Sequence, residues 1–176
     1  MNDSIFKLQI IKNNSEYEDV AFKSDLLNLN YVFGSAYYIQ HIELKQLLRF
    51  ADDALPVSNK RIVFKHILSL MSSKLYLLAR DHVLYFPIDL ADEYTGVLKC
   101  ILDEEEQLSI QFGVVEADGV GIDIKTLDPI GDLDKHFMPQ TMLATCMMKD
   151  LQAAIVHNLL EMNKELVEHT DFILPS

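Results

Sequence analysis

The sequence predicts an α+β fold, an antiparallel β-meander packed against a long C-terminal helix, with a further helix near residues 43–55. Three observations predict it. Between Leu75 and Lys125, short apolar runs alternate with polar residues and are separated by polar turns, the pattern of antiparallel strands with one wet face. From Met142 to His169, apolar residues instead recur every three or four positions, as on an amphipathic helix. No linker, internal repeat or low-complexity tract divides the 176 residues, so 1–176 is read as a single domain.

Taken in order, "IFKLQII" (5–11) alternates loosely as a strand and ends at the turn formers Asn13, Asn14 and Ser15. A second extended stretch covers Val20–Phe22 and continues through "LLNLNYVF", closed by Gly34 and Ser35. "YYIQHI" reads as another strand. In "ELKQLLRFADDAL", Leu44, Leu47, Leu48 and Ala51 form one helical stripe, which Pro56 and "VSNK" end. Residues 61–72 fit either a helix, through Ile62, Val63, His66, Ile67 and Leu70, or a strand, given the β-branched start and the Ser72-Ser73 break.

"LYLLAR" and "VLYFPIDL" read as a hairpin turning at Asp81-His82, with Pro87 marking an edge or a bulge. "GVLKCIL", the "DEEEQ" connection and "LSIQFGVV" continue the meander, with Ile110, Phe112 and Val114 facing one way and Ser109, Gln111 and Gly113 the other. After "EADG", the alternation returns in "VGIDIK": Val120, Ile122 and Ile124 inward, Gly121, Asp123 and Lys125 outward. "TLDPIGDLDKHFMPQ" is a loop by composition. The C-terminal helix carries Leu151, Ile155, Leu159, Met162 and Leu166 on one stripe and Ala153, Val156, Leu160 and Val167 on a second. Met142–Met147 fits a short strand as well as a first turn.

Charge is the least ordinary property. The formal net is −12, and 14 of the 27 carboxylates fall between Asp81 and Asp134, opposed there by Lys99 and Lys125 alone. The rest of the chain is neutral. Phosphate contacts require lysine and arginine, so this distribution argues against direct nucleic-acid binding. No apolar run approaches the roughly 18–20 residues that span a bilayer, and "MNDSIFKLQIIKNN" lacks a signal-peptide core, so a cytoplasmic protein without a membrane role is expected. Cys100 and Cys146 lie in apolar surroundings and are expected as free thiols.

No catalytic motif stands out, and no enzyme is expected. Gly34-Ser35 lacks the second glycine of a nucleophile elbow, no glycine-rich phosphate loop occurs, and the six histidines form no HExxH or i, i+4 pair. Asp132, Asp134 and His136 would share one side of an extended segment, but the stretch lacks the glycine and glutamate of an EF-hand, so no metal or other cofactor is expected.

What remains is the acidity. Asp103, Glu104, Glu105 and Glu106 fill a hairpin connection, where their plainest role is to keep neighbouring strand edges apart in water. Glu116, Asp118 and Asp123 follow in the next turn and strand and would extend a negative field suited to a basic protein partner. Tyr85 and Tyr94 are candidate contact anchors, since tyrosine buries area at low entropic cost and keeps a polar handle.

Through "LDEEEQ", "VEADGVGID" and "LDPIGDLD", and through its size, the chain resembles in kind the immunity proteins of bacterial toxin systems, those of contact-dependent growth inhibition above all. The resemblance implies a cytoplasmic inhibitor that binds one cognate toxin, often a basic nuclease, and occludes its active site. Two alternatives come from other classes: an adaptor or assembly subunit that oligomerises through the second stripe of the C-terminal helix, and a small-molecule-binding domain with a pocket between sheet and helix.

Overall fold

The computed structural model describes residues 5–11, 20–42, 56–78, 82–91, 93–103, 106–116 and 118–170, with backbone alone for 40–41, 56–59 and 164–170. The fold is α+β. The expected helix at 43–55 lies outside the described residues, as do Glu104 and Glu105.

The larger sheet is built on the expected meander, β4 (Val83–Leu90), β5 (Thr95–Leu102) and β6 (Gln107–Val115), all antiparallel. Leu98, Cys100, Leu108, Ile110 and Phe112 alternate onto the core face, each at most 2% exposed. Pro87 lies on the sheet's edge strand beside a register shift between Pro87 and Asp89, the kind of place where a residue without an N–H is tolerated. A second sheet pairs β1 (Lys7–Ile10), β2 (Val20–Ser24) and β3 (Leu29–Phe33), close to the expected strands.

Several expectations change. "YYIQHI" is not a strand but contributes to α1 (Ala36–His41), where Tyr38 packs its ring against Phe33 and Phe64. Residues 61–72 belong to α2 (Pro56–Tyr76), and the same helix takes Leu75 and Tyr76 from the expected hairpin. Val63, Phe64, Ile67, Leu68, Met71 and Leu75 form its buried stripe, and this burial outweighs the serines. Ser69 and Ser73 instead donate their hydroxyls to the carbonyls of Lys65 and Ser69 one turn back.

Beyond β6 the chain leaves the meander. "VGIDIK" supplies only β7 (Gly121–Ile122), which pairs with β8 (Pro129–Ile130) as a separate ribbon. Ile122 and Ile124 are buried as expected, but in the ribbon and the turn after it rather than on a full strand. The expected loop after it also holds α3 (Leu133–His136) and β9 (Phe137–Pro139). This excursion, 116–139, is held by buried Ile122, Ile124, Leu127 and Leu133. β9 returns to β6 with Gly113 opposite Pro139. A Cβ on Gly113 would stand 2.5 Å from the Phe137 ring and 2.6 Å from the Met138 carbonyl oxygen, so glycine lets the excursion lie flat on the sheet.

β10 (Ala144–Met147) then pairs with β6, and α4 (Met148–Thr170) runs back against α2. Leu151, Ile155 and Met162 are buried on α4; Ala153, Val156 and Leu160 of the second stripe are exposed. Asn158, 1% exposed, docks on the edge of the smaller sheet. Its Oδ1 accepts from the Leu8 N–H at 2.7 Å and its Nδ2 donates to the Phe6 carbonyl at 3.1 Å, so one amide side chain stands in for a neighbouring strand. Among the described residues, no helix is long and apolar enough to cross a membrane.

Candidate functional site

A meander puts successive connections at opposite ends of its sheet, and this separates the acidic residues. Asp103 and Glu106 lie in the β5–β6 turn. Glu116 and Asp118 lie past the far end of the nine-residue β6, about 30 Å away at roughly 3.3 Å per residue. There the β4–β5 turn joins them, closed by the Ala91 N–H donating to the Tyr94 carbonyl at 3.0 Å.

The β5–β6 turn uses its acids structurally. Asp103 Oδ1 accepts from the Gln107 N–H at 2.9 Å, while the Asp103 N–H donates to the Gln107 carbonyl, also at 2.9 Å. Glu106 adopts φ +59°, and its carbonyl accepts from the first N–H of α4, that of Met148, at 3.0 Å. The turn therefore positions the C-terminal helix.

The other end opens into a cleft of about 610 Å³. Glu93, Tyr94 and Thr95 come from the β4–β5 connection, Tyr37 from α1, and Glu116 and Asp118 from the end of β6; the ribbon contributes Gly119 to Ile122 and Ile130. Among the described residues, three carboxylates and two phenols line it, with no lysine, arginine or histidine. Water solvates such carboxylates cheaply while the cleft is open, but their shared field makes it a place for positive charge.

Behind Tyr94 lies a carboxylate that sequence reading counted but did not single out. Asp89 is 5% exposed, and its Oδ2 accepts from both the Tyr31 and Tyr94 hydroxyls at 2.8 Å. The two hydroxyls stand 3.4 Å apart. Burial, then the hydrogen bonds with Tyr94 and Asp89, hold the Tyr31 hydroxyl well above the usual phenol range. At Tyr94 the hydrogen bond with Tyr31 works downward, but burial and Asp89 outweigh it and the net direction is up. Both phenols therefore stay protonated donors. An aspartate inside "VLYFPIDL" was the available signal; the bulge after Pro87 is what fixes its place.

The remaining candidates have internal roles. Tyr85 is 7% exposed and donates its hydroxyl to Asp134, so it braces the excursion rather than offering a contact face. Lys99, its cross-strand partner, also donates to Asp134 and lies 5.3 Å from the Phe137 ring centroid. Lys99 and Tyr85 together hold the Asp134 carboxyl below its usual range. Lys74 does the same for Asp128, clamping the ribbon's return to α2. Asp123 is in a turn, not a strand, and its Oδ1 accepts from the Lys125 N–H at 2.8 Å. The 132–136 segment is not extended: Asp132 caps α3 by accepting from the Lys135 N–H, so Asp132, Asp134 and His136 do not share one side of a strand. Among the described residues, no three histidine, cysteine or acidic side chains come together as a metal group.

Both cysteines are free. Burial raises the Cys100 thiol and, more weakly, Cys146, which is pushed up to about 11, so neither is an activated nucleophile. No protein-family model, curated protein or solved structure matches the chain.

Proposed function

We propose that the chain is a non-catalytic, acidic protein-binding inhibitor of the toxin-immunity kind, acting in the cytoplasm by occluding the active site of a basic toxin such as a nuclease. The observation that carries this reading is the cleft, in which Glu93, Glu116 and Asp118 meet beside Tyr37 and Tyr94 with no basic residue among the described residues of the lining. A nuclease must present cationic groups to bind phosphate. An acidic face can occupy such a cleft, speed encounter by steering, and block substrate without any turnover.

The test is low-salt affinity capture followed by an activity assay of what is captured. The expected result is a basic protein whose own activity the chain silences and whose affinity falls as salt rises. Binding indifferent to salt, or capture of proteins whose activities are untouched, overturns the reading.

A second reading draws on α4. Ala153, Val156 and Leu160 lie exposed along one stripe, as an assembly subunit would require. It predicts a concentration-dependent oligomer insensitive to salt. A small-molecule site between sheets and helices gains less support: the cavity lined by Tyr38, Phe64 and Pro87 measures about 20 Å³, space for one water.

A further inference from the structure

Tyr38 is 0% exposed, and its hydroxyl has no hydrogen-bond partner among the described residues. Burial, then the charge of Asp89, holds this phenol well above its usual range, so the hydroxyl stays a protonated donor. A hydroxyl left dry and unbonded at such depth keeps its full desolvation cost.

The same side chain lines a cavity of about 20 Å³ between the smaller sheet, α2 and β4, with Phe22, Phe33 and Phe64 in its lining. One water needs about 10–15 Å³ of such room, so the cavity has space for a single water and nothing larger. Room alone does not wet an apolar cavity, because a water also needs at least two polar partners. The second comes from β4. In its ladder with β5, Pro87 faces Val97 and Asp89 faces Gly96, which leaves Ile88 opposite no residue. A bulge residue of this kind stands outside the ladder, with backbone groups free for another partner. Pro87 and Ile88 both line the cavity.

We propose that this cavity is the site of one ordered water, which accepts from the Tyr38 hydroxyl and donates to a backbone carbonyl of the Ile88 bulge. The water satisfies the buried phenol and the bulge together, and it ties α1 to the edge strand one residue before Asp89. Asp89 accepts in turn from Tyr31 and Tyr94, so the bridge reaches a residue of the cleft wall. A cation does not suit the place, since the lining holds no carboxylate among the described residues, and the volume is too small for an organic ligand.

The test compares the full chain with Tyr38→Phe, which keeps the ring and removes the hydroxyl. The sign of the stability change separates a hydrated hydroxyl from a dry one. Losing a bonded hydroxyl lowers the urea midpoint, whereas losing an unbonded one relieves a desolvation cost and raises it. The midpoint is expected to fall, and oxygen-17 relaxation dispersion is expected to count one long-lived internal water fewer in the variant. Amide resonances of Ile88, Asp89 and Tyr94 should shift. A midpoint that stays or rises, an equal count of long-lived waters, or an unmoved Ile88 resonance overturns the proposal. The parent chain gives a second reading that does not need the variant to fold. A high-resolution crystal structure should place a water about 2.7 Å from the Tyr38 hydroxyl oxygen, and a dry cavity there overturns the proposal.

Discussion

The two ends of the meander carry similar charge and use it differently. At the β5–β6 turn, Asp103 closes the turn through the Gln107 N–H and Glu106 receives the N-terminus of α4. At the β4–β5 end, Glu93, Glu116 and Asp118 line a cleft in front of the Tyr94–Asp89 pair. A carboxylate that satisfies the local backbone stabilises the fold; carboxylates gathered around open volume store a field for something else. Charge counted along the chain does not distinguish these, but hydrogen-bond partners do.

The comparison is broken most severely at Gly113. Gly113→Ala forces the Phe137 ring and the Met138 carbonyl aside, and overpacking of this kind is expected to cost about 2–3 kcal/mol. Because β9 anchors the excursion that walls the cleft, cleft resonances should shift in NMR spectra while those of the β5–β6 turn stay in place. A denaturation midpoint equal to that of the parent chain would contradict the close packing.

The next test sets the two ends against each other. Asp103→Ala leaves the Gln107 N–H without its side-chain acceptor and should lose about 1 kcal/mol in urea denaturation. Glu116→Gln/Asp118→Asn should stay within about 0.5 kcal/mol, since both side chains are exposed, and should relieve mutual repulsion. The reverse ranking would mean that the structural and storage roles have been assigned to the wrong ends.

Glu106→Gly sharpens the picture of the turn. Glycine adopts φ near +59° without a Cβ clash, which offsets its greater unfolded-state freedom; a net gain of a few tenths of a kcal/mol is expected. The smallest effect should come from acid. Asp128 and Asp134 have folded pKa values depressed by Lys74 and Lys99, so their contribution is present above about pH 4 and lost as pH falls through the folded values. Both are exposed, so solvent screening keeps the change small. Asp134→Asn should flatten the acid limb of a stability–pH curve below about pH 4, and an unchanged limb would show that the clamp carries no weight.

Much of the fold was legible. Period-two alternation placed β5 and β6, and the 103–106 connection was readable as a turn because four acidic residues between two apolar runs have nowhere drier to go. "YYIQHI" misled because aromatic and β-branched residues favour strands, and only contacts with Phe33 and Phe64 make α1 the better place to bury Tyr38. "VGIDIK" kept its buried residues but lost its strand, since β6 gives its outer edge to β9 and β10 instead. Of the candidate residues, Glu116, Asp118 and Tyr94 meet at the cleft; Tyr85 and Asp123 are occupied by the excursion and its turn. Glu93 enters the sequence reading only as charge, and Tyr37 only within the stretch read as a strand.

By itself the sequence determined the α+β class, the alternation of the central strands, the amphipathic C-terminal helix and the concentration of negative charge in one stretch. These follow from neighbours along the chain, whose periodicity and turn chemistry are local properties. Tertiary structure alone decided which acids share a place. The cleft draws on residues 37, 90, 91, 93–95, 115, 116, 118–122 and 130, and Asp89 meets Tyr31 across 58 positions. Sheet geometry sets such meetings: an antiparallel meander separates adjacent turns by the length of a strand and brings alternate ones together.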